Sequence, residues 1–150
     1  MRFVIQRVSE ASVSIDGTVY SQIQKGFLVL LGVEEADTKE DADWLCQKLI
    51  GMRIFADVDY KMNLSLQDIN GDVLLVSQFT LFASTKKGNR PSFIKSAKPD
   101  VAIPLYEYCI QQLSQQLGKP IKTGQFGADM KVSLVNDGPV TILIDSKNKE

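Results

Sequence analysis

A chain of 150 residues, 44% hydrophobic and 23% charged, is long enough to form one domain with a buried core, and a net charge of −1 gives it no global field to recruit a polyanion. The absence of histidine removes every Ser-His or Cys-His nucleophile pair, the imidazole metal ligand and the general base that titrates near neutral pH. The longest apolar run, residues 27–31, is too short to span a bilayer, and two cysteines are too few for a structural zinc site, so any catalysis must use carboxylates, hydroxyls, backbone groups or the substrate itself.

Residues 2–9 alternate as a strand does, and the N-terminus, with Arg2 and Arg7, does not have the pattern of a signal peptide. Residues 12–15 and 18–23 flank Asp16-Gly17, a two-residue hairpin signal. Gly26 opens a buried strand over 27–33. Thr38 has the character of a helix N-cap, with Glu40 and Asp41 in the first turn, and Ala42, Leu45, Leu49 and Met52 fall on one face of a helix ending near Met52. A short strand is expected at 53–55, a turn near 57–60, and a short strand or irregular stretch over 61–65. The continuous apolar run 73–76 predicts a strand covered on both faces, and it leads directly into Ser77 and Gln78.

Residues 84–98 hold five bases and no acid. A second helix is predicted over about 100–117, with Leu105, Cys109, Leu113 and Leu117 as its buried stripe. Pro104 is tolerable only in its first turns, and Gly118 with Pro120 marks the stop. Strands follow at 121–123, 132–135 and 140–144, and residues 146–150 read as a frayed tail. The expected fold is α+β in one domain, with a largely antiparallel sheet and two main helices. Several strands are apolar on both faces, which leaves surface for a dimer to bury. Cys46 and Cys109 fall in the predicted helices, where buried free thiols and a cytoplasmic location are the expectation.

Four groups of residues bear on chemistry. In the stretch 136–141, Asp137-Gly138 suggests a tight hairpin turn between two strand-like runs. Pro139 has no N–H to give a ladder, its bond is of the one type that can be cis at modest cost, and Gly138 lets a ligand approach two successive carbonyls. Ser77, Gln78, Phe79 and Thr80 leave the end of a buried strand, where polar groups either line a site or satisfy local backbone. Thr80 would be a nucleophile only beside a base, and no local sequence supplies one; backbone N–H groups near Phe79 and Thr80 could instead polarise a carbonyl. Lys86, Lys87, Arg90, Lys95 and Lys98 form either a solvated face or a phosphate contact, with Phe93 among them to pack or to stack. Arg7 shares strand parity with Phe3 and Ile5, so it either makes a surface ion pair or lies half-buried against acceptors such as carbonyls.

Residues 77–81, Ser-Gln-Phe-Thr-Leu, and 136–141, Asn-Asp-Gly-Pro-Val-Thr, resemble the two signature motifs of D-aminoacyl-tRNA deacylases of the bacterial and eukaryotic type. Met1-Arg2 through Gln6-Arg7-Val8, Lys61-Met62-Asn63-Leu64-Ser65, Gly88 through Phe93 and Phe126-Gly127-Ala128-Asp129-Met130 also fit that family, so the likeness spans about residues 1–145. The resemblance implies a single deacylase domain over 1–150 with a barrel-like β core, forming a homodimer with sites between its subunits. It implies hydrolysis of the ester joining a D-amino acid to tRNA, in the cytoplasm, without cofactor or metal, and without a DNA or membrane partner.

The Gly138-Pro139 step, in its cis form, would enter the partner's site, hold the α-amino group and stand where an L side chain must go. Arg7 would brace it, and Ser77, Gln78, Phe79 and Thr80 would form the opposite wall. Met130 would help make the terminal adenosine pocket, and Lys86, Lys87 and Arg90 would meet acceptor-stem phosphates. The ribose 2′-hydroxyl would assist the reaction. Three alternatives stand beside this reading. They are an editor chiefly of mischarged glycine, a non-catalytic RNA-binding or replication-associated module, and a synthetase editing domain. The last is disfavoured because no room remains for an aminoacylation domain.

Overall fold

The computed structural model describes residues 1–150. Its organising element is one long strand, β1 (Arg2–Ile15). On one side β1 pairs antiparallel with β8 (Lys131–Asp145); on the other it pairs antiparallel first with β3 (Gly26–Gly32) and then with β2 (Thr18–Ile23). β6 (Asp72–Ser77) runs parallel to β3, and the short β7 (Lys122–Thr123) runs parallel to β6. The Ser21 hydroxyl donates to the Thr123 carbonyl at 2.6 Å and draws β2 against β7, so the six-stranded sheet curls into a barrel-like shape. Helices α1 (Lys39–Gly51) and α2 (Pro99–Leu117) pack outside it, and β4 (Phe55–Ala56) with β5 (Met62–Leu64) forms a small separate hairpin. A 3-10 turn, Phe79–Phe82, follows β6. No helix is long and apolar enough to cross a membrane.

Strand alternation divides the apolar residues into two cores. Phe3, Ile5, Phe27, Val29, Val73 and Leu75 face the helices, where they meet Leu45, Leu49, Leu105 and Leu113. Their alternates Val8, Leu28, Leu74 and Val76 turn inward with Val13 and Ile23. β3 and β6 are therefore covered on both faces, which is why their sequences are continuous apolar runs. Asp16 and Gly17 both take positive φ, 50° and 77°, the geometry whose twist matches a two-residue hairpin.

Both helices lie where periodicity puts them, but several strand expectations need correction. Residues 2–9 and 12–15 belong to one strand, kinked by register shifts around Val8. The predicted strand at 53–55 moves to Phe55–Ala56, because Arg53 grips Asn63 and the Ile54 carbonyl accepts from Arg7 instead of a strand. The tail expected to fray is anchored at its start: Ser146 is buried, its N–H donates to the Met1 carbonyl, and Lys147 reaches Asp41 at 3.1 Å.

The largest difference is at the Asp137-Gly138 step. Residues 132–135 and 140–144 are not the arms of a hairpin. Both pair with β1, one after the other and in the same direction, because β1 is long enough to offer each run a partner.

Candidate active site

A cavity of about 340 Å³ opens at the C-terminal end of β6, with Ser77, Gln78, Phe79, Phe126, Met130 and Val132 among its mainly apolar lining. The Gln78 N–H donates to the Leu31 carbonyl at 2.7 Å, so the chain holds β3 for one more residue before the 3-10 turn begins. That turn presents Phe79, 57% exposed, edge-on to Phe93 with ring centroids 5.1 Å apart. The Ser96 hydroxyl donates to the Phe79 carbonyl at 2.7 Å and pins the turn from the other side. Gly124 leaves room for Met130, since a Cβ there would lie 2.5 Å from the Met130 sulfur. The buried Tyr106 hydroxyl donates to the Leu75 carbonyl at 2.9 Å; burial pushes its pKa up to about 12, so it is a fixed donor and not an acid.

The Thr80 hydroxyl is exposed, and its side-chain partner is the Gln78 amide, which donates to it. An amide cannot remove its proton, so this contact gives Thr80 no base. The cysteines offer no nucleophile either. Both are buried, and Cys109 is pushed well up by its hydrogen bond with Cys46 and by burial, which keeps it a thiol. No three His, Cys, Asp or Glu side chains converge to make a candidate metal centre.

The second motif forms an extrusion in β8. Asn136 pairs with Val8 and Thr141 with Gln6, so the four residues Asp137, Gly138, Pro139 and Val140 stand opposite Arg7 alone. The Gly138–Pro139 peptide is cis, and Gly138 has φ 139°. A Cβ on Gly138 would lie 2.7 Å from the Val140 side chain and 3.2 Å from Arg7 Nη2, so only glycine fits. Arg7 meets both of its expected alternatives: its side chain is half-buried, 13% exposed, and its Nε lies 3.8 Å from the Asp137 carboxylate. It donates from Nε to the Asp137 carbonyl at 3.0 Å and from Nη1 to the Ile54 carbonyl at 2.6 Å.

Within one chain the two motifs do not meet. Arg7 is level with Phe27 and Val73, whereas Leu31 and Ser77 mark the cavity, four residues further along β3 and β6. At the rise of a strand that is about 13 Å. Gly138, Pro139 and Arg7 are absent from the cavity lining. Lys86, Lys87 and Arg90 lie exposed and without ion pairs on the loop closed by the Ser84–Ser92 bridge, which the Phe79–Phe93 contact fastens beside the cavity mouth. Sequence reasoning left unread the apolar lining from Val33, Ala97 and Ala102, which carries no motif, and the hydrogen bonds of Asn136, although that residue opens a motif.

The family profile described as D-Tyr-tRNA(Tyr) deacylase matches residues 4–145. The chain belongs to this family of hydrolases. It is 63% identical over its whole length, and that of the relative, to proteins named D-aminoacyl-tRNA deacylase from Flavobacterium johnsoniae and from Phocaeicola vulgatus. Among solved structures it is similar to a c-Myc DNA unwinding element binding protein, at 38% identity and TM-score 0.91, over 97% of this chain and 98% of the other. A probable eukaryotic D-amino acid tRNA deacylase shares the fold at 17% identity and TM-score 0.82, over 95% and 97% of the two chains.

Proposed function

We propose that this deacylase-family chain works as a homodimer that hydrolyses the ester between a D-amino acid and the terminal ribose of tRNA, each site combining the cavity of one subunit with the Gly138-Pro139 loop of the other. The separation of the two motifs carries this reading. The loop offers acceptors, and the cavity offers a pocket with no part of the loop in its lining. The open edge of β8 supports a second copy there. This 15-residue strand pairs only with β1 and leaves Val135 and Leu143 50% and 61% exposed.

In this arrangement the Gly138 and Pro139 carbonyls hold the substrate's α-ammonium group and occupy the space an L side chain needs. A D side chain points away, and glycine, having none, also passes. The ester carbonyl faces the N–H groups of Phe79 and Thr80, which open the 3-10 turn and have no acceptor within it. Water attacks the carbonyl, oriented by the neighbouring 2′-hydroxyl, and the 3′ oxygen leaves with the proton. Met130 and Phe126 flank the adenosine, and Lys86, Lys87 and Arg90 face acceptor-stem phosphates. The lack of any base on Thr80 favours this route over a covalent one.

The test is release of tyrosine from D- and L-tyrosyl-tRNA by the wild type, Pro139→Ala and Thr80→Val. The expected result is release from the D ester alone, at least ten-fold less selective in Pro139→Ala and nearly unchanged in Thr80→Val. Equal release from both esters by the wild type would refute the chiral gate. The basic loop, with the 38%-identical relative named for DNA binding, favours a second reading, a nucleic-acid-binding module without catalysis. Acceptor-stem binding without release of tyrosine or glycine would select it.

A further inference from the structure

The extrusion in β8 has a neck, and one side chain closes it. Asn136 Nδ2 donates to the Arg7 carbonyl at 3.1 Å across the strands and to the Val140 carbonyl at 2.9 Å across the base of the loop. Arg7 has no register partner in β8, and on that side Asn136 supplies its carbonyl with a donor. Four carbonyls belong to the extruded residues. The flanking pair is tied down by side chains, Asp137 by Arg7 Nε and Val140 by Asn136 Nδ2. The inner pair, on Gly138 and Pro139, accepts from no side chain.

We infer that Asn136 is a positioning residue for chiral selection: its two amide donors clamp the neck of the loop and, together with Arg7, leave only the Gly138 and Pro139 carbonyls free to meet a substrate ammonium. The inference rests on the functional reading above. Donation is the property that matters. An Asp in the same place has the same shape, but as a carboxylate it sets acceptors against two carbonyl acceptors and repels both. The same two acceptors disfavour the charged form and raise the carboxyl's pKa, and once protonated it regains one donor. Alanine has none at any pH.

The experiment measures the D-to-L ratio of tyrosyl-tRNA hydrolysis, and KM and kcat for the D ester, at pH 8 and pH 5 for the wild type, N136D and N136A. At pH 8 both variants lose at least ten-fold in the ratio, with KM rising more than kcat falls. At pH 5 N136D recovers part of the loss and N136A recovers none. Wild-type ratios in both variants, or equal losses in both at the two pH values, would overturn the inference. A wild type that cleaves neither ester would sink the functional reading alone. The Gly138 amide NMR signal would then decide on Asn136. A signal that shifts in N136D at pH 8 and returns at pH 5 supports the clamp, and one that never leaves its wild-type position overturns it. Should the variants not fold, slow exchange of the Asn136 side-chain amide protons in the wild type supports the clamp, and exchange at the rate of a free amide overturns it.

Discussion

Arg7 and Asn136 divide one task at the scale of single residues. A guanidinium and an amide each answer two main-chain carbonyls, and together they hold an extrusion that the ladder cannot hold. Arginine suits its half because a planar fork reaches two separate acceptors, which a lysine ammonium on a flexible stem does poorly. Asp41 plays a comparable part at the other end of the fold. Burial raises its pKa, but hydrogen bonds from Ser146, the Thr38 N–H and Lys147 outweigh this and bring it down to about 2 from 3.8. A folded pKa below the unfolded one contributes stability that is complete above about pH 4 and disappears as pH falls through about 2. The contribution is roughly 2 kcal/mol at neutral pH. Thermal unfolding of the wild type should therefore show Tm falling more steeply between pH 4 and pH 2 than in Asp41→Asn. Parallel curves would remove Asp41 from the acid-sensitive set.

Parallel pairing of β3 with β6 is the element on which the cavity depends, since it carries Ser77 to the level of Leu31. The pairing is set at its far end by Gly26, where a Cβ would run into the Asp72 backbone. Backbone cannot step aside as a side-chain tip does, so Gly26→Ala should cost about 3 kcal/mol. Gly51, the last residue of α1, has nothing within 4 Å of its Cβ position, and Gly51→Ala should stabilise by about 0.5 kcal/mol. Denaturant midpoints of the two variants should therefore move in opposite directions. A Gly26→Ala midpoint that does not fall would remove the contact with Asp72 as what fixes the register, and a Gly51→Ala midpoint that does not rise would remove the helix-propensity gain at Gly51.

For the whole molecule, the question is whether two incomplete halves make one site. Sedimentation should give a dimer, and Leu143→Lys, which puts a charge on the open edge of β8, should shift it to monomer with loss of hydrolysis. Mixed dimers give a sharper test. A subunit carrying Pro139→Ala has an impaired chiral loop and one carrying Phe79→Ala an impaired cavity, but a heterodimer has one site in which both loop and cavity are intact. D-selective hydrolysis gained on mixing would support the shared site, and selectivity and rate no better than the average of the parents would argue for a site within one subunit.

The sequence by itself determined what depends on neighbours a few residues apart. The periods of Leu45 and Leu49 and of Leu105, Cys109 and Leu113 gave two helices. The two-residue turn at Asp16 and Gly17 gave a hairpin, and the two short motifs with their separation gave the family. The missing histidine limited the chemistry in the same way, since no fold supplies a residue the chain lacks. Tertiary structure alone decided the fate of Asp137-Gly138. Locally that dipeptide is a hairpin turn, but β1 extends past it on both sides, so each flanking run gains a full antiparallel partner and the four residues between them are pushed out as a loop. The direction of Arg7 and the clamp of Asn136 follow from the same long-range pairing. So does the distance between the loop and the cavity, because strand register joins residues more than a hundred positions apart and leaves no local pattern to read.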